Sequence, residues 1–334
     1  MIRVFLTSET YHYYFNCSFY TQQEWWKEGE PNPEIGIIYI TLGIIFIILY
    51  IPSLLVMIKK ELFKLSCYKI MFFTGIFDIV TLTLNSVLSG YLGYIGAVAC
   101  NYPLLNYICG AIALFGWVST STARLTLAIN RMIDFYGKNL GYKLFKGYKT
   151  YLWLLISFTY GLLAGIFSNP PGFTSKKMAW FYDPYFGTKI PSNIPTPNYI
   201  NMVQVCHNIL VTSIMTIVYI LSCILISFKY QTSYKINFTT GKGSLFIQSF
   251  IICSSSFFAA LINVIMQYLD TPDFVVIIGH FLWIITQGTT PVILLIFNKN
   301  IQRIIKMYFF TMLKKPNITK TSKTRSAFQK KNIK

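Results

Sequence analysis

Two charges stand where charges are expensive. Asp78 and Arg124 lie inside long apolar runs of this 334-residue sequence, and an ionisable side chain within such a run marks a functional position unless a partner neutralises it. The chemistry open to them is that of a buried pair: a lock between elements, or a switch that opens when the pair breaks. His207 and His280 also sit in apolar surroundings, where a lone histidine is more often a structural hydrogen-bonding group than a ligand contact. No nucleophile and base fall at catalytic spacing, and no phosphate-binding loop occurs. The seven cysteines are scattered without metal-ligand spacing. The sequence therefore reads as a non-enzyme with no metal and no cofactor.

The elements that must position these residues follow from composition. The chain is 54% hydrophobic and only 12% charged, with a net charge of +18. Soluble domains carry about 25% charged residues, so this chain lacks the polar surface to cover a water-facing globule. Its cations fall between apolar blocks instead of forming a face interleaved with stacking aromatics, which argues against nucleic acid as a partner and for a lipid bilayer. Seven blocks approach the roughly 20 residues a membrane helix needs: about 35–58, 70–95, 104–129, 150–168, 202–228, 244–269 and 274–297. None alternates with the period of two that an outer-membrane strand requires. The expectation is an all-α membrane protein, a bundle over 35–297, after a tail over 1–34.

Orientation follows from the loop cations. Of 29 Lys and Arg residues, 23 fall in the 59–69, 131–149 and 229–242 segments and beyond residue 298, and only five in the alternate set. This puts the N-terminus outside and the C-terminus in the cytosol. The start MIRVFLTSETYHYYF has no apolar core of a cleavable signal, so the first span is expected to insert itself and carry the acidic tail across uncleaved. Residues 298–313 have apolar positions at helical spacing beside Arg303 and Lys306, as in a helix lying on the inner leaflet. Residues 314–334 are rich in Lys, Ser and Thr, as in a disordered tail.

Depths can then be compared. Asp78 lies nine residues past Lys69, about 13 Å deep at 1.5 Å per residue, and Arg124 seven before Arg131, about 10 Å deep. Similar depths on neighbouring antiparallel helices make an ion pair between them plausible; the alternative has Arg124 reaching the headgroups while Asp78 meets water or sodium. Outward-facing cysteines are Cys17, Cys100 and, at the top of the third span, Cys109. Oxidising surroundings favour pairing, with Cys17–Cys100 foremost, Cys100–Cys109 as its rival, and three free thiols the remaining possibility. Asn16, Asn237 and Asn317 begin N-x-S/T sequons, of which only Asn16 lies on the outer side.

A set of ordered stretches carries a family resemblance: Asn16-Cys17-Ser18 with the tryptophans at 25–26 and EGEPNPEIG, YIPSLLVM at 50–57, CYKIM at 67–71, Asp78, Asn85-Ser86, Cys100 with YICG at 107–110, Trp117, LAINRMIDF, and GTTPVILLIFNKNI at 288–301. Together they make the chain similar to the nematode serpentine receptor class T chemoreceptors, up to about residue 303. The resemblance implies a rhodopsin-like seven-helix G-protein-coupled receptor of sensory neurons, sited in the plasma membrane. It places Asn130 and Arg131, at the inner end of the third helix, where a heterotrimeric G protein docks. By their own positions toward the outer half, Trp117, His207, Tyr268, His280, Trp283 and Gln287 are pocket candidates for a small-molecule ligand, with an interfacial aromatic belt explaining some of them, particularly Tyr268, equally well. Several general features of that architecture are missing: Thr290-Pro291 lacks the preceding Asn and the Tyr three residues on, the sixth span has neither Trp nor internal Pro, and the 169–201 loop has no Cys to tie to the third helix. The competing reading is a seven-helix transporter or ligand-gated channel.

Overall fold

A computed structural model of the chain describes residues 7–136, 138–192, 194, 197–231, 241–269 and 271–313. Expectations for Asn237, for Asn317 and for the tail over 314–334 lie outside the described residues. Among these, seven helices are long and apolar enough to cross a membrane. They are α1 (Pro33–Met57), α2 (Ser66–Tyr94), α3 (Pro103–Tyr136), α4 (Lys149–Phe167), α5 (Met202–Gln231), α6 (Gly241–Tyr268) and α7 (Asp273–Phe297). A further helix, α8 (Lys299–Leu313), follows α7.

Local sequence sets the helix ends. Asn32 caps α1 through its Oδ1, which accepts the Ile35 N–H at 3.2 Å, and Pro33 takes the first helical position, where its missing N–H costs nothing. Asn298 does the same for α8, its Oδ1 accepting from the Ile301 N–H at 3.2 Å. The rest of that side chain joins two other elements: its amide donates to Gln248 of α6 at 3.1 Å and to Tyr68 of α2 at 2.8 Å. α3 is the axis of the bundle, buried along most of its length, whereas α1 and α5 turn apolar faces outward. It continues about one and a half turns beyond Arg131, at 3.6 residues per turn, to Tyr136; the expectation that it closes on Asn130-Arg131 is corrected, because nothing in INRMIDFY breaks a helix.

α1 and α2 touch backbone to backbone. A side chain at Gly36 would lie 2.7 Å from the Gly90 carbonyl, and one at Gly90 2.5 Å from the Gly36 carbonyl, the small-residue contact by which membrane helices pack closely. α2 carries a π-helical segment over Thr83–Leu88, a widened turn of the kind that recurs at functional positions.

One end of the bundle is covered. Residues 172–181 form a hairpin, β1 (Gly172–Thr174) against β2 (Ala179–Phe181), with Phe173 opposite Trp180. Its turn passes through Met178 at φ 51°, and Trp180 Nε1 donates to Ser89 Oγ of α2 at 2.7 Å. The N-terminal tail packs beside it. Cys17 and Cys100 are joined by a disulfide, Trp25 is buried and donates from Nε1 to the Cys17 carbonyl at 2.9 Å, and Tyr185 donates to the Asn16 carbonyl at 2.9 Å. Glu28 accepts from Lys176 Nζ and the Lys189 N–H, both at 3.1 Å. At the opposite, lysine-rich end, the short helix Lys138–Phe145 is tied to α2 through Ser66 Oγ and the Phe145 carbonyl at 2.9 Å.

Candidate functional site

A charged knot lies in the middle of the bundle. Asp78 of α2 and Arg124 of α3 are both fully buried, and Arg124 Nη2 donates to Asp78 Oδ1 and Oδ2 at 2.8 and 2.9 Å. Charge-assisted bonds of this kind are roughly twice as strong as neutral ones. Further hydrogen bonds reach other helices, while Arg124 Nε is buried with no partner among the described residues. Tyr50 of α1 has one proton and two acceptors in reach, Asp78 Oδ2 at 2.8 Å and the Gln287 carbonyl of α7 at 2.7 Å. Arg124 Nη1 donates to Ser256 Oγ of α6 at 3.0 Å, and Nη2 also approaches the Thr286 carbonyl of α7 at 3.4 Å. Five helices thus share one ion pair. Neither Tyr50 nor Ser256 is marked by the sequence, since tyrosine and serine are common in these spans; their role appears only once helix rotation is fixed.

Nearer the covered end, two histidines are held differently. His280 Nε2 lies 2.7 Å from the Asn85 carbonyl; a carbonyl only accepts, so Nε2 carries the proton. That carbonyl lies in the π-helical segment of α2, where the widened turn turns a backbone group toward α7. The His280 ring also lies against Tyr39 at 4.6 Å, tilted by 37°, and meets Trp283 edge-on at 5.9 Å. For His207 the tautomer follows from a chain. Ser121 Oγ gives its single proton to the Trp117 carbonyl at 2.6 Å, so at 2.7 Å it accepts from His207 Nε2, which leaves Nδ1 to accept from Tyr160 at 3.2 Å. His207 is therefore fully engaged in joining α3, α4 and α5. Trp117 extends the tie, donating from Nε1 to Asn208 Oδ1 at 2.9 Å.

Trp117 and Trp283 face each other edge to face at 6.5 Å. Around Trp283 the hydrogen-bonding ledger does not close: Trp283 Nε1, both polar atoms of the Gln287 side chain and both of the Asn85 side chain are buried with no partner among the described residues. Buried polar atoms are normally satisfied, and five orphans bordering His280 and Trp283 make this interior the region prepared for a polar group from elsewhere.

Among the pocket candidates, Tyr268 is corrected. Tyr268 is 52% exposed near the end of α6, its hydroxyl 3.7 Å from Met202 Sδ, so the rotation of α6 takes it out of the interior pocket. Cys206 and Cys223 are exposed on α5, and Cys109 is a buried free thiol, so the rival Cys100–Cys109 bond does not form. Asn263 bonds within its own helix, to the Ala259 carbonyl at 2.8 Å. Arg131 is buried, and its Nη2 donates to the neighbouring Asn130 Oδ1. Asn16 is half-buried, with Oδ1 accepting from the Ser18 N–H at 3.2 Å and hydroxyl at 2.7 Å. Among the described residues no cluster of His, Cys, Asp or Glu is arranged to hold a metal.

Two recesses are also present. An apolar crevice of about 430 Å³ opens between α5 and α6 and is lined by Tyr219, Cys223, Phe250 and Cys253 among others. A smaller recess, about 140 Å³, lies between β2 with the segment that follows it, the residues just before α5, and the end of α6.

Comparison with known proteins agrees with this architecture. Residues 1–319 match the family model described as "Serpentine type 7TM GPCR chemoreceptor Srt". The chain is also similar to serpentine receptor class T-55 of Caenorhabditis elegans, 28% identical over 290 residues, covering 86% of this chain and 78% of that protein. A seven-helix bundle, a whole-chain family match and a relative of the same class converge, and the chain belongs to the Srt family of serpentine seven-transmembrane chemoreceptors.

Proposed function

We propose that this chemoreceptor binds a small ligand among Asn85, His280, Trp283 and Gln287 and passes the event to a heterotrimeric G protein at its lysine-rich end. The observation that carries the proposal is the Asp78–Arg124 knot, which joins α1, α2, α3, α6 and α7 between the interior with orphaned polar atoms and the end bearing Arg131. A ligand biases a two-state bundle only by the difference in its affinity for the two states. Contacts to Trp283 and Gln287 of α7 supply such a difference, because the same helix lends its Gln287 and Thr286 carbonyls to Tyr50 and Arg124. Apolar walls with few polar anchors suit a small, mostly apolar molecule.

The cation bias puts the lysine-rich end in the cytosol and the hairpin outside, at the plasma membrane; sensory neurons are the setting the family suggests. Arg131 and Asn130 then form the docking end. The buried position of Arg131 corresponds to a closed, uncoupled state, from which its release accompanies opening. Asn16 on the outer side is the expected glycan acceptor.

The test is a cellular one. Cells expressing the chain with a panel of Gα-dissociation sensors are compared with cells expressing Arg131→Ala at matched surface level. Basal or odorant-evoked dissociation that the substitution abolishes supports the proposal; dissociation unchanged by Arg131→Ala refutes the role given to that end.

A further inference from the structure

The small recess beside the hairpin is separate from the interior around Trp283, and its chemistry is different. Its walls include Trp180, Phe181, Phe186 and Tyr199, with Asn263 from α6 and one carboxylate, Asp183. The Phe181 and Phe186 rings stack at 4.0 Å, 7° from parallel. Asp183 Oδ1 accepts the Tyr185 N–H at 2.9 Å, and burial pushes the carboxyl above the usual carboxylate range. Among the described residues no cation pairs with it. The lysines of the same loop are committed elsewhere: Lys176 and Lys189 act on Glu28, and Lys177 pairs with Asp273. The Tyr199 hydroxyl is buried without a hydrogen-bond partner among the described residues.

A half-buried carboxylate without a counter-charge among aromatic faces asks for a cation. The aromatic faces narrow its nature, because ring quadrupoles attract organic ammonium groups. A hard metal ion would need six or more oxygen ligands, which this recess does not present. An anion would be repelled, and a neutral apolar molecule would leave the carboxylate as it stands. The volume of about 140 Å³ sets a small guest.

We infer that this recess is a binding site for a small organic ammonium ion, held by Asp183 against the aromatic walls with the Tyr199 hydroxyl beside it. The site lies at the covered end of the bundle, on the segment that carries the hairpin. It does not depend on G-protein coupling, and its failure would leave the proposed coupling untouched.

The experiment uses the full chain in nanodiscs and titrates isoamylammonium against its neutral isostere isoamyl alcohol, read by calorimetry. The ammonium binds saturably and at least tenfold tighter than the alcohol. Asp183→Asn keeps an oxygen for the Tyr185 N–H, so the loop is preserved, and it lowers ammonium affinity at least tenfold while leaving any alcohol binding unchanged. Tyr199→Phe lowers it by a smaller factor. Equal binding of ammonium and alcohol, ammonium binding unaffected by Asp183→Asn, or no saturable ammonium binding would each overturn the inference.

Discussion

Replacing Asp78 by Ala leaves Arg124 as a buried guanidinium with two contacts: Ser256 at 3.0 Å and a long approach to the Thr286 carbonyl at 3.4 Å. Both carboxylate bonds, at 2.8 and 2.9 Å, disappear. Tyr50 keeps an acceptor, since the Gln287 carbonyl lies 2.7 Å away, so the loss falls almost wholly on the charge. Breaking one side of a buried pair costs about 3–5 kcal/mol, and both partners here are 0% exposed. Arg124→Met strands the opposite charge, with only Tyr50 donating to Asp78 at 2.8 Å, and costs a similar amount. The double variant removes both charges together. Tyr50 retains Gln287, Ser256 retains the Ile252 carbonyl at 3.3 Å, and apolar replacement of a whole pair is often close to neutral. The double variant is therefore expected to be more stable than either single one, with a coupling above roughly 3 kcal/mol, beyond that of most contacting pairs. Steric trapping in bicelles measures the unfolding free energies. Costs that simply add, or single losses below about 1 kcal/mol, would refute the claim that the two charges act as one buried unit.

Other expectations concern the covered end. Cys100→Ser releases the N-terminal tail: the loop-entropy ceiling for a separation of 83 residues is about 4.5 kcal/mol, but α1 and α2 stay inserted, so the loss is local and trypsin cleavage after Lys27 accelerates without global unfolding. Glu28 titrates below the usual carboxylate range because, although burial opposes it, the Lys189 N–H and the Lys176 ammonium favour the charged form. A depressed folded value means that the stabilisation is complete above the unfolded value, about 4.3, and is lost as pH falls through the folded one. Hydrogen exchange in Gln22–Glu28, corrected for intrinsic rate, should be flat from pH 7 to 5 and rise in acid, and Glu28→Gln should flatten the curve at the unprotected level. Gly110→Val would drive a side chain into the Pro171 carbonyl, which lies 2.0 Å from a Cβ placed there; overpacking of this kind costs about 1–3 kcal/mol and should show as a lower melting temperature and loss of Trp180 burial.

The bundle was legible because a bilayer imposes length and apolarity on each span, and those are properties of consecutive residues. Asp78 and Arg124 stand out for the same reason: charge within such a run needs no knowledge of neighbours, and residue counting from the flanking lysines compares their depths. Rotation about each helix axis is not written in consecutive residues. Tyr268 turns outward although it shares a helix with interior residues, and Tyr50, Ser256 and Asn298 turn inward although their types are unremarkable. The π-helical segment at Thr83–Leu88 shifts the phase of α2 beyond it, so spacing alone misjudges what Asn85 and Ser89 face. The hairpin was hidden because its two three-residue strands are held by contacts such as Trp180 to Ser89 and Ser175 to the Ala97 carbonyl, not by an alternating pattern. The Asp183 recess combines residues from that loop with α6, a juxtaposition made only by folding.

The central claim is that the lysine-rich end, with Arg131, acts on a G protein. Its most direct measurement is GDP release from purified heterotrimers of each Gα class, mixed with the receptor in nanodiscs, wild type against Arg131→Ala. At least one class is expected to release GDP faster with the wild-type chain, and Arg131→Ala to return the rate to that of empty nanodiscs while melting temperature is retained. Acceleration that persists undiminished in Arg131→Ala would contradict that claim.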